Sequence, residues 1–259
     1  MALVDNLSIQ GVSTPKIRGS SRQALAINTL TFFTGFSATV VISSAVNVME
    51  DLSPSLKFFL VASPLVLTSL LQVPIGRAID RDGGINKILL LRAISLIGLI
   101  GFTIISAASD LSTVDHFDVR YGFLLVLGLL SGASGSTFQL ISNVLYWSKI
   151  KNFAHAQSIY AGIGGAALGL SLIILHFMQA GIGLAGSFGV FGGIFLVGTL
   201  LAWKYLEVPP YQQLLKQNYS IDDAKKKAAE FGQEKLPSIQ GDSFWQSLAK
   251  TISDRRALI

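Results

Sequence analysis

The 259-residue sequence contains no cysteine, and only 14% of its residues are charged. Without cysteine the chain has no disulfide, no thiolate metal ligand and no cysteine nucleophile. Soluble domains commonly have about 25% charged residues. Here 51% of the residues are hydrophobic and the mean hydropathy is +0.56, so the polar residues are too few to cover a soluble surface. These shortages predict a protein that is embedded in a lipid bilayer.

Long runs without Asp, Glu, Lys or Arg predict the membrane spans. A bilayer core about 30 Å thick needs roughly 20 helical residues, and continuously apolar runs favour helices over a barrel. The run 152–203 is too long for one span, and AGIGLAG (Ala180–Gly186) provides a turn near its middle. We therefore predict an all-α membrane protein with six transmembrane helices, near 25–48, 57–79, 87–108, 120–147, 154–178 and 185–206.

The basic residues predict the orientation. With the N-terminus inside, all of the 20 Lys and Arg residues except Lys57 and Arg120 lie on the cytoplasmic side. This positive-inside pattern accounts for the net charge of +5 without nucleic acid as a partner. The predicted organisation is a cytoplasmic segment 1–22, a transmembrane domain 23–207 and a central cytoplasmic loop 208–259, in a plasma or inner membrane.

Residues 208–259 are expected to be a solvated loop that contains one surface helix. SIDDAKKKAAEF (Ser220–Phe231) combines an N-cap serine with aspartates in the first turn and lysines later, which is typical of a short capped helix. Binding of anionic lipid through Lys225–Lys227 is the alternative role. The loop is expected to reach the start of a missing seventh helix.

Polar side chains within the predicted spans are candidates for a solute pathway. Gln72, Gln139 and Asn143 are costly to bury and are expected to face a cavity. The cluster AGIGGAALG (Ala161–Gly169) offers bare backbone that can line a pathway or let a helix bend, although close helix packing explains such glycines equally well. Its candidate pathway residues are Gly162, Gly164, Gly165 and Gly169.

The sequence offers little for catalysis or for binding a metal or cofactor. No acidic residue lies in the middle of a predicted span, which argues against a proton relay in this part of the protein. The histidines do not cluster and no nucleophile–His–Asp order is present, so neither a metal site, a cofactor nor an enzyme activity is expected.

A charged, glycine-rich stretch, GRAIDRDGG (Gly76–Gly84), lies between the second and third predicted spans. Gly83 and Gly84 predict a sharp reversal. Two aspartates on the expected cytoplasmic side suggest specific pairing with arginine side chains or helix ends. We predict that this loop has such a specific pairing role.

The stretch resembles the loop signature of the major facilitator superfamily, G-x-x-x-D-R-x-G-[GR]-[RK]. The resemblance implies that the six helices are the N-terminal half of a 12-helix fold, built as two inverted three-helix repeats, with substrate near the midplane between two halves. A second half would come from the same gene, a split gene or a dimer. The loop would switch conformation during transport, through Gly76, Asp80, Arg81, Gly83, Gly84 and Lys87.

A narrower resemblance is to the nitrate/nitrite porter branch of that superfamily. It is carried by FFTGFSATVV, VPIGRAIDRDGG and YWSKIKNFAHAQSIYAGIGGAALG. Two positions depart from the branch pattern: Gln72 stands where the branch typically has an arginine that binds the anion, and Gly165 takes the place of an asparagine. A buried anion needs a compensating charge, so either the second half supplies it or the substrate is not nitrate.

The resemblance implies a secondary active transporter that moves a small anionic solute, such as nitrate or nitrite, by alternating access. The alternative is a half-size relic or regulatory membrane protein that does not transport. Under either hypothesis, the 259 residues are a natural half or a truncated gene model.

Overall fold

The computed structural model describes residues 15–115, 118–237 and 243–253. Short 3-10 turns at Leu111–Thr113, Ala133–Leu140 and Ile150–Asn152 connect or interrupt the α-helices. Over the described residues the helices are α1 (Ser21–Thr39), α2 (Val41–Val46), α3 (Pro54–Asp82), α4 (Ile85–Ala108), α5 (Val119–Gly132), α6 (Ile141–Tyr146), α7 (Phe153–Tyr205), α8 (Pro210–Lys216), α9 (Ile221–Glu230) and α10 (Phe244–Ser253).

Among the described residues, five helical stretches are long and apolar enough to cross a membrane. The first joins α1 to α2, and the fourth joins α5, the 3-10 turn and α6. The sequence predicted six spans; the difference lies in α7, which includes both the fifth and the sixth. The stretches are Ser21–Val46, Pro54–Asp82, Ile85–Ala108, Val119–Tyr146 and Ile150–Tyr205.

The chain reverses within α7. Gly183 has φ 73° and ψ 178°, a conformation open mainly to glycine, and it lies inside the stretch that the sequence predicted as a turn. Ser171 Oγ lies 2.8 Å from Ser37 Oγ of α1, while a Cβ at Gly198 would lie 2.8 Å from Thr34 Oγ1 of the same helix. A straight helix would separate residues 171 and 198 by about 40 Å. The two limbs, 153–182 and 184–205, therefore both pack on one level of α1.

Helix α3 begins at Pro54 and contains two further prolines in its interior, Pro64 and Pro74, and it accommodates the first of these locally. Pro64 has no N–H to donate to the carbonyl of Leu60, and the hydroxyl of Ser63 donates to that carbonyl instead, at 2.8 Å. The backbone at Pro64 also receives Gly132, where an added Cβ would lie 1.9 Å from the Pro64 oxygen. Glycine is required there because α3 and α5 touch backbone to backbone.

Between α5 and α6, the 3-10 turn Ala133–Leu140 leaves carbonyls that do not follow the α-helical pattern. Hydroxyls from other helices donate to carbonyls in and beside it: Thr68 to Gly132 at 2.6 Å and Tyr160 to Thr137 at 2.7 Å. Mid-helix 3-10 geometry commonly marks a hinge or a strained sequence. Polar side chains of the spans thus satisfy backbone groups that lipid could not.

The segment after α7 is a folded subdomain. Helices α8 and α9 share a small apolar core that includes Tyr211, Leu214 and Ala228, with Ile17 packed against it. Ser220 caps α9 by accepting a hydrogen bond from Asp223 N, as the sequence predicted. The sequence led us to expect a solvated loop with one surface helix. In the structure, this part of the chain has two helices that share an apolar core.

An N-terminal strap, residues 15–19, is held by two glutamines of α8 and its end. Gln213 accepts from Arg18 N and donates to Arg18 O, both at 2.8 Å. Gln217 makes the same pair with Lys16, at 3.2 and 2.8 Å. Alternate residues of the strap match glutamines one helical turn apart, so the main chain of the strap makes these hydrogen bonds while the Ile17 side chain packs on the α8–α9 core.

Candidate functional site

Asp82 is the centre of the α3–α4 loop. One carboxylate oxygen accepts from Arg81 Nη2 at 2.8 Å and from Lys87 Nζ at 3.0 Å, and the other accepts from Gly84 N at 2.9 Å. Gly83 and Gly84 have φ values of 84° and 62°, as expected for the predicted reversal. The aspartate therefore joins the last turn of α3 to the first turn of α4.

Asp80 and Gly76, also on α3, contact the end of the fourth predicted span. The hydroxyl of Tyr146 donates to Asp80 Oδ1. A Cβ at Gly76 would lie 3.3 Å from Gln139 Oε1, so the Gln139 side chain packs against this glycine. The loop signature is thus connected to α6 and the preceding 3-10 turn inside the same bundle.

The loop also contacts the segment after α7. A Cβ at Gly83 would lie 2.3 Å from Val208 Cγ1, which leaves no room for another residue. A polar cleft of about 340 Å³ opens beside this contact, with Asp82, Lys87, Glu207 and Lys216 among its lining residues. The positive φ values of Gly83 and Gly84 and the contact with Val208 therefore both restrict this reversal to glycine.

The three polar pathway candidates occupy different environments. Gln72 and Gln139 are half-buried. Asn143 is fully buried and donates to Asn28 Oδ1 at 3.0 Å and to Glu207 O at 3.3 Å. Its amide links α6 to α1 and to the end of α7, so the structure gives it a role in helix packing.

The glycines of the first α7 limb divide into two faces. Gly164 is buried, and a Cβ there would lie 1.8 Å from the Phe32 ring. Gly162, Gly165 and Gly169 are exposed, with open space around an added Cβ. The structure therefore assigns Gly164 to packing and leaves the other three on an open surface.

Arg92 is a buried cation that the sequence placed at the basic end of the third span. It is fully buried in α4 and lies 4.4 Å from the centroid of the Phe195 ring. It donates to Thr31 O at 2.8 Å, Thr34 Oγ1 at 2.9 Å, Thr199 Oγ1 at 3.0 Å and Phe195 O at 3.3 Å. Each of these acceptors is a neutral oxygen of α1 or of the second α7 limb.

The sequence counted Arg92 only among the basic residues of the cytoplasmic side, within the predicted span 87–108, and did not predict its burial. Intramembrane arginines are rare and costly, and four of the five guanidinium N–H groups are used within the bundle. Arg92 therefore joins three helices.

The family model described as the Major Facilitator Superfamily matches residues 25–250. The chain belongs to the major facilitator superfamily. It is accordingly a membrane transporter-like, multi-pass protein with an all-helical fold of that superfamily. No curated protein matches the sequence.

One solved structure of the superfamily supports the same fold. The chain is similar to the proton:xylose symporter XylE bound to 6-bromo-6-deoxy-D-glucose, with a TM-score of 0.60 and 15% sequence identity. The match covers 92% of this chain and 55% of the symporter, so the chain spans about half of its length. An auto-inhibited POT family peptide transporter matches with a TM-score of 0.48 and 15% identity, over 73% of this chain and 39% of that one. At this level of identity the likeness concerns the fold alone.

The sequence predicted that the two aspartates of this stretch pair with arginine side chains or helix ends. Asp82 confirms this prediction, because it pairs with Arg81 and accepts from Gly84 N at the start of α4. Asp82 is not part of the superfamily signature, which contains Asp80. Its position directly before the Gly83–Gly84 reversal was the available signal for its bond to the turn, because an aspartate there can accept from the N–H groups of the turn.

Two substitutions of Asp82 separate its charge from its role as a backbone acceptor. Asp82→Asn removes both ion pairs but retains an oxygen for Gly84 N, and we expect the free energy of unfolding to fall by about 1 kcal/mol because partly exposed pairs contribute little. Asp82→Ala also leaves the buried Gly84 N–H unpaired, and we expect a further loss of about 1–2 kcal/mol. Thermal unfolding in detergent measures the loss of stability in both variants, and Asp222→Asn is the exposed control. Equal losses in Asp82→Asn and Asp82→Ala would contradict the role of Asp82 as an acceptor for Gly84 N.

Proposed function

We propose that the chain is the N-terminal six-helix half of a secondary transporter that moves a small solute by alternating access. The family match over residues 25–250 carries this proposal. It is supported by the reversal at Gly183, which lets α7 cross the bilayer twice. Six crossings as two inverted three-helix repeats return the chain to the side on which it began.

The basic end of the bundle is proposed to be cytoplasmic. The basic segments of the chain lie at one end of the bundle, where they contact one another. Ser21 donates to Trp147 O, Ile150 N donates to Glu234 Oε2 at 2.8 Å, and Gly83 packs on Val208. The opposite end contains Asp110, Asp115 and Asp118. The positive-inside rule favours this orientation.

A second six-helix half is proposed to cover the exposed glycines of the first α7 limb. At 100° per residue, Gly162, Gly165 and Gly169 lie on the helix face opposite Gly164 and Ser171, which pack toward α1. Small residues allow close approach of helices in lipid. This face has the features expected of a boundary at which two halves move relative to each other.

The solute remains the small anion that the sequence resemblance implies, nitrate or nitrite. Such an anion needs a compensating cation in a low-dielectric site. Because Arg92 is bonded to neutral oxygens inside the bundle, we propose that the second half supplies the cation. Gln72 and Gln139 are proposed to contribute neutral polar contacts from this half.

Uptake by proteoliposomes tests the proposal. Vesicles that contain the chain together with a second six-helix half are expected to accumulate labelled nitrate or nitrite, whereas the chain alone is not. Gly165→Leu should reduce uptake at least tenfold without lowering the thermal stability of the chain alone, because its side chain points into open space.

Gly193→Leu is the matched control, since an added Cβ there also meets open space, on the second α7 limb. Equal loss of uptake in both variants would contradict the proposed boundary at Gly165. A complete assembly that moves neither anion but moves another solute would refute the anion assignment. An assembly that moves no small solute would favour the non-transporting alternative.

A further inference from the structure

An apolar groove lies between α3, α4 and α10 near the basic end. Its volume is about 370 Å³, at the lower end of the range of about 300–1,000 Å³ for small-molecule sites. The helix α10 covers the groove with Phe244 and Leu248 without filling it. Leu71 of α3 and Leu90 and Ile94 of α4 form the facing walls.

The groove adjoins the polar cleft beside the α3–α4 loop. Asn86 and Lys87 line both spaces. Lys87 Nζ has three N–H donors, and one is directed to Asp82 at 3.0 Å. The exposed Lys216 lies on the far side of the cleft. An apolar space and a space lined by the amines of Lys87 and Lys216 and the carboxylates of Asp82 and Glu207 thus meet at Asn86 and Lys87.

We propose that the groove and the cleft together bind one phospholipid of the bilayer, with an acyl chain in the groove and the phosphate between Lys87 and Lys216. The groove opens on an exposed apolar face of α4, and this position favours a lipid as the occupant. On that face Leu90 is 53% exposed, and Ile97, two turns further along α4, is 60% exposed. An apolar surface of this kind on a membrane helix faces lipid. The amines favour it too: beside the carboxylates of Asp82 and Glu207, a phosphate in the cleft can accept from the remaining ammonium N–H groups of Lys87 and from Lys216.

This proposal is independent of solute transport. It assigns to α10 the task of enclosing a lipid tail against α3 and α4. It also places the lipid headgroup beside Asp82, so that the bound lipid contacts the loop that joins these helices.

Native mass spectrometry of the delipidated full chain with dioleoylphosphatidylglycerol tests the site. We expect one saturable adduct per chain and a raised thermal-unfolding midpoint. Leu90→Trp should fill the groove and weaken binding at least tenfold. The matched control Ile97→Trp, on the same face of the same helix but outside the groove, should change binding less than twofold. Lys87→Met should weaken binding about threefold or more through loss of the phosphate contact.

Two further probes identify which part of the lipid is recognised. Inorganic phosphate and oleyl alcohol should each raise the unfolding midpoint less than half as much as the phospholipid. Equal stabilisation by phosphate alone would refute an acyl-chain site, and equal stabilisation by the alcohol would refute the phosphate contact. No saturable adduct, or equal weakening by the two tryptophan variants, would overturn the proposal.

Quenching of Trp245 provides a second measurement should Leu90→Trp fail to fold. Trp245 lines the groove, while Trp203 is equally exposed at 69% but lies outside it. The third tryptophan, Trp147, is 3% exposed and contributes the same background to both variants. Phospholipid with brominated acyl chains should quench Trp245 in a Trp203→Phe variant at low, saturable lipid. Trp203 in a Trp245→Phe variant should be quenched only in proportion to bulk lipid, and identical curves would contradict the site.

Discussion

Gly132→Ala is expected to prevent the chain from reaching a stable fold. The added Cβ would lie 1.9 Å from the Pro64 oxygen and 2.5 Å from its carbonyl carbon. Both are backbone atoms, so no side-chain rotation relieves the clash and the helices must separate. We expect a loss of about 3 kcal/mol or more, measured as a lower unfolding midpoint and a reduced monodisperse fraction in detergent.

Gly122→Ala is the control for that experiment, because Gly122 lies in the same helix with nothing within 4 Å of an added Cβ. Alanine favours a helix interior over glycine by roughly 0.5–1 kcal/mol, so this variant should be neutral or more stable. A Gly132→Ala variant as stable as Gly122→Ala would show that α3 and α5 do not approach as described.

Gly164→Ala is expected to destabilise the bundle by about 2 kcal/mol. Its Cβ would lie 1.8 Å from two atoms of the Phe32 ring. That ring is 2% exposed and stacks on Tyr160 at a centroid distance of 4.9 Å. It also contacts Phe138 at 5.5 Å. The ring therefore has little space in which to move, although a side chain yields more readily than the backbone at Pro64.

The neighbouring Gly165→Ala provides the comparison, since its Cβ would meet open space. We expect it to leave the unfolding midpoint within about 2 °C of the wild-type value, whereas Gly164→Ala lowers it by roughly 5 °C, as a change of 2 kcal/mol implies for a domain of this size. Equal shifts would indicate that general glycine content, and not contact with Phe32, sets the stability.

Much of the fold followed from uncharged run lengths and from glycine positions. The spans near α3 and α4, the turn around Gly183 and the reversal at Gly83–Gly84 all required only that lipid excludes unpaired charges and that glycine tolerates positive φ. The capped helix α9 followed from Ser220 and the aspartates after it. These features are local, so one sequence was enough to predict them.

Features that depend on contacts between distant residues did not follow from the sequence. Arg92 lies inside both the predicted span 87–108 and the helix that begins at Ile85, but its complete burial was not predicted. Its acceptors, Thr31 and Thr199, are far away along the chain. The 3-10 turn after α5 had a possible signal in the small residues SGASGST (Ser131–Thr137), but the carbonyl partners Thr68 and Tyr160 are supplied by other helices.

The same limit applies to the pathway candidates. Sequence spacing correctly grouped glycines on the first α7 limb, but it could not distinguish Gly164, which meets Phe32, from Gly165, which meets open space. It also could not indicate that Asn143 is used to bond Asn28 inside the bundle. Burial is a property of the assembled helices, and single residues do not encode it.

If the proposed second half is joined to this chain, the strap and the α8–α9 subdomain limit where the two halves can bend apart. Main-chain bonds hold residues 16 and 18 to α8, and Glu234 is bonded to Ile150 at 2.8 Å. The segment that follows α7, residues 206–234, is therefore fixed to this half and moves with it as one rigid unit. In a rocking transporter the pivot within the linker would then lie beyond Glu234, and the length of free chain that connects the halves would be much shorter than the distance along the sequence from Tyr205.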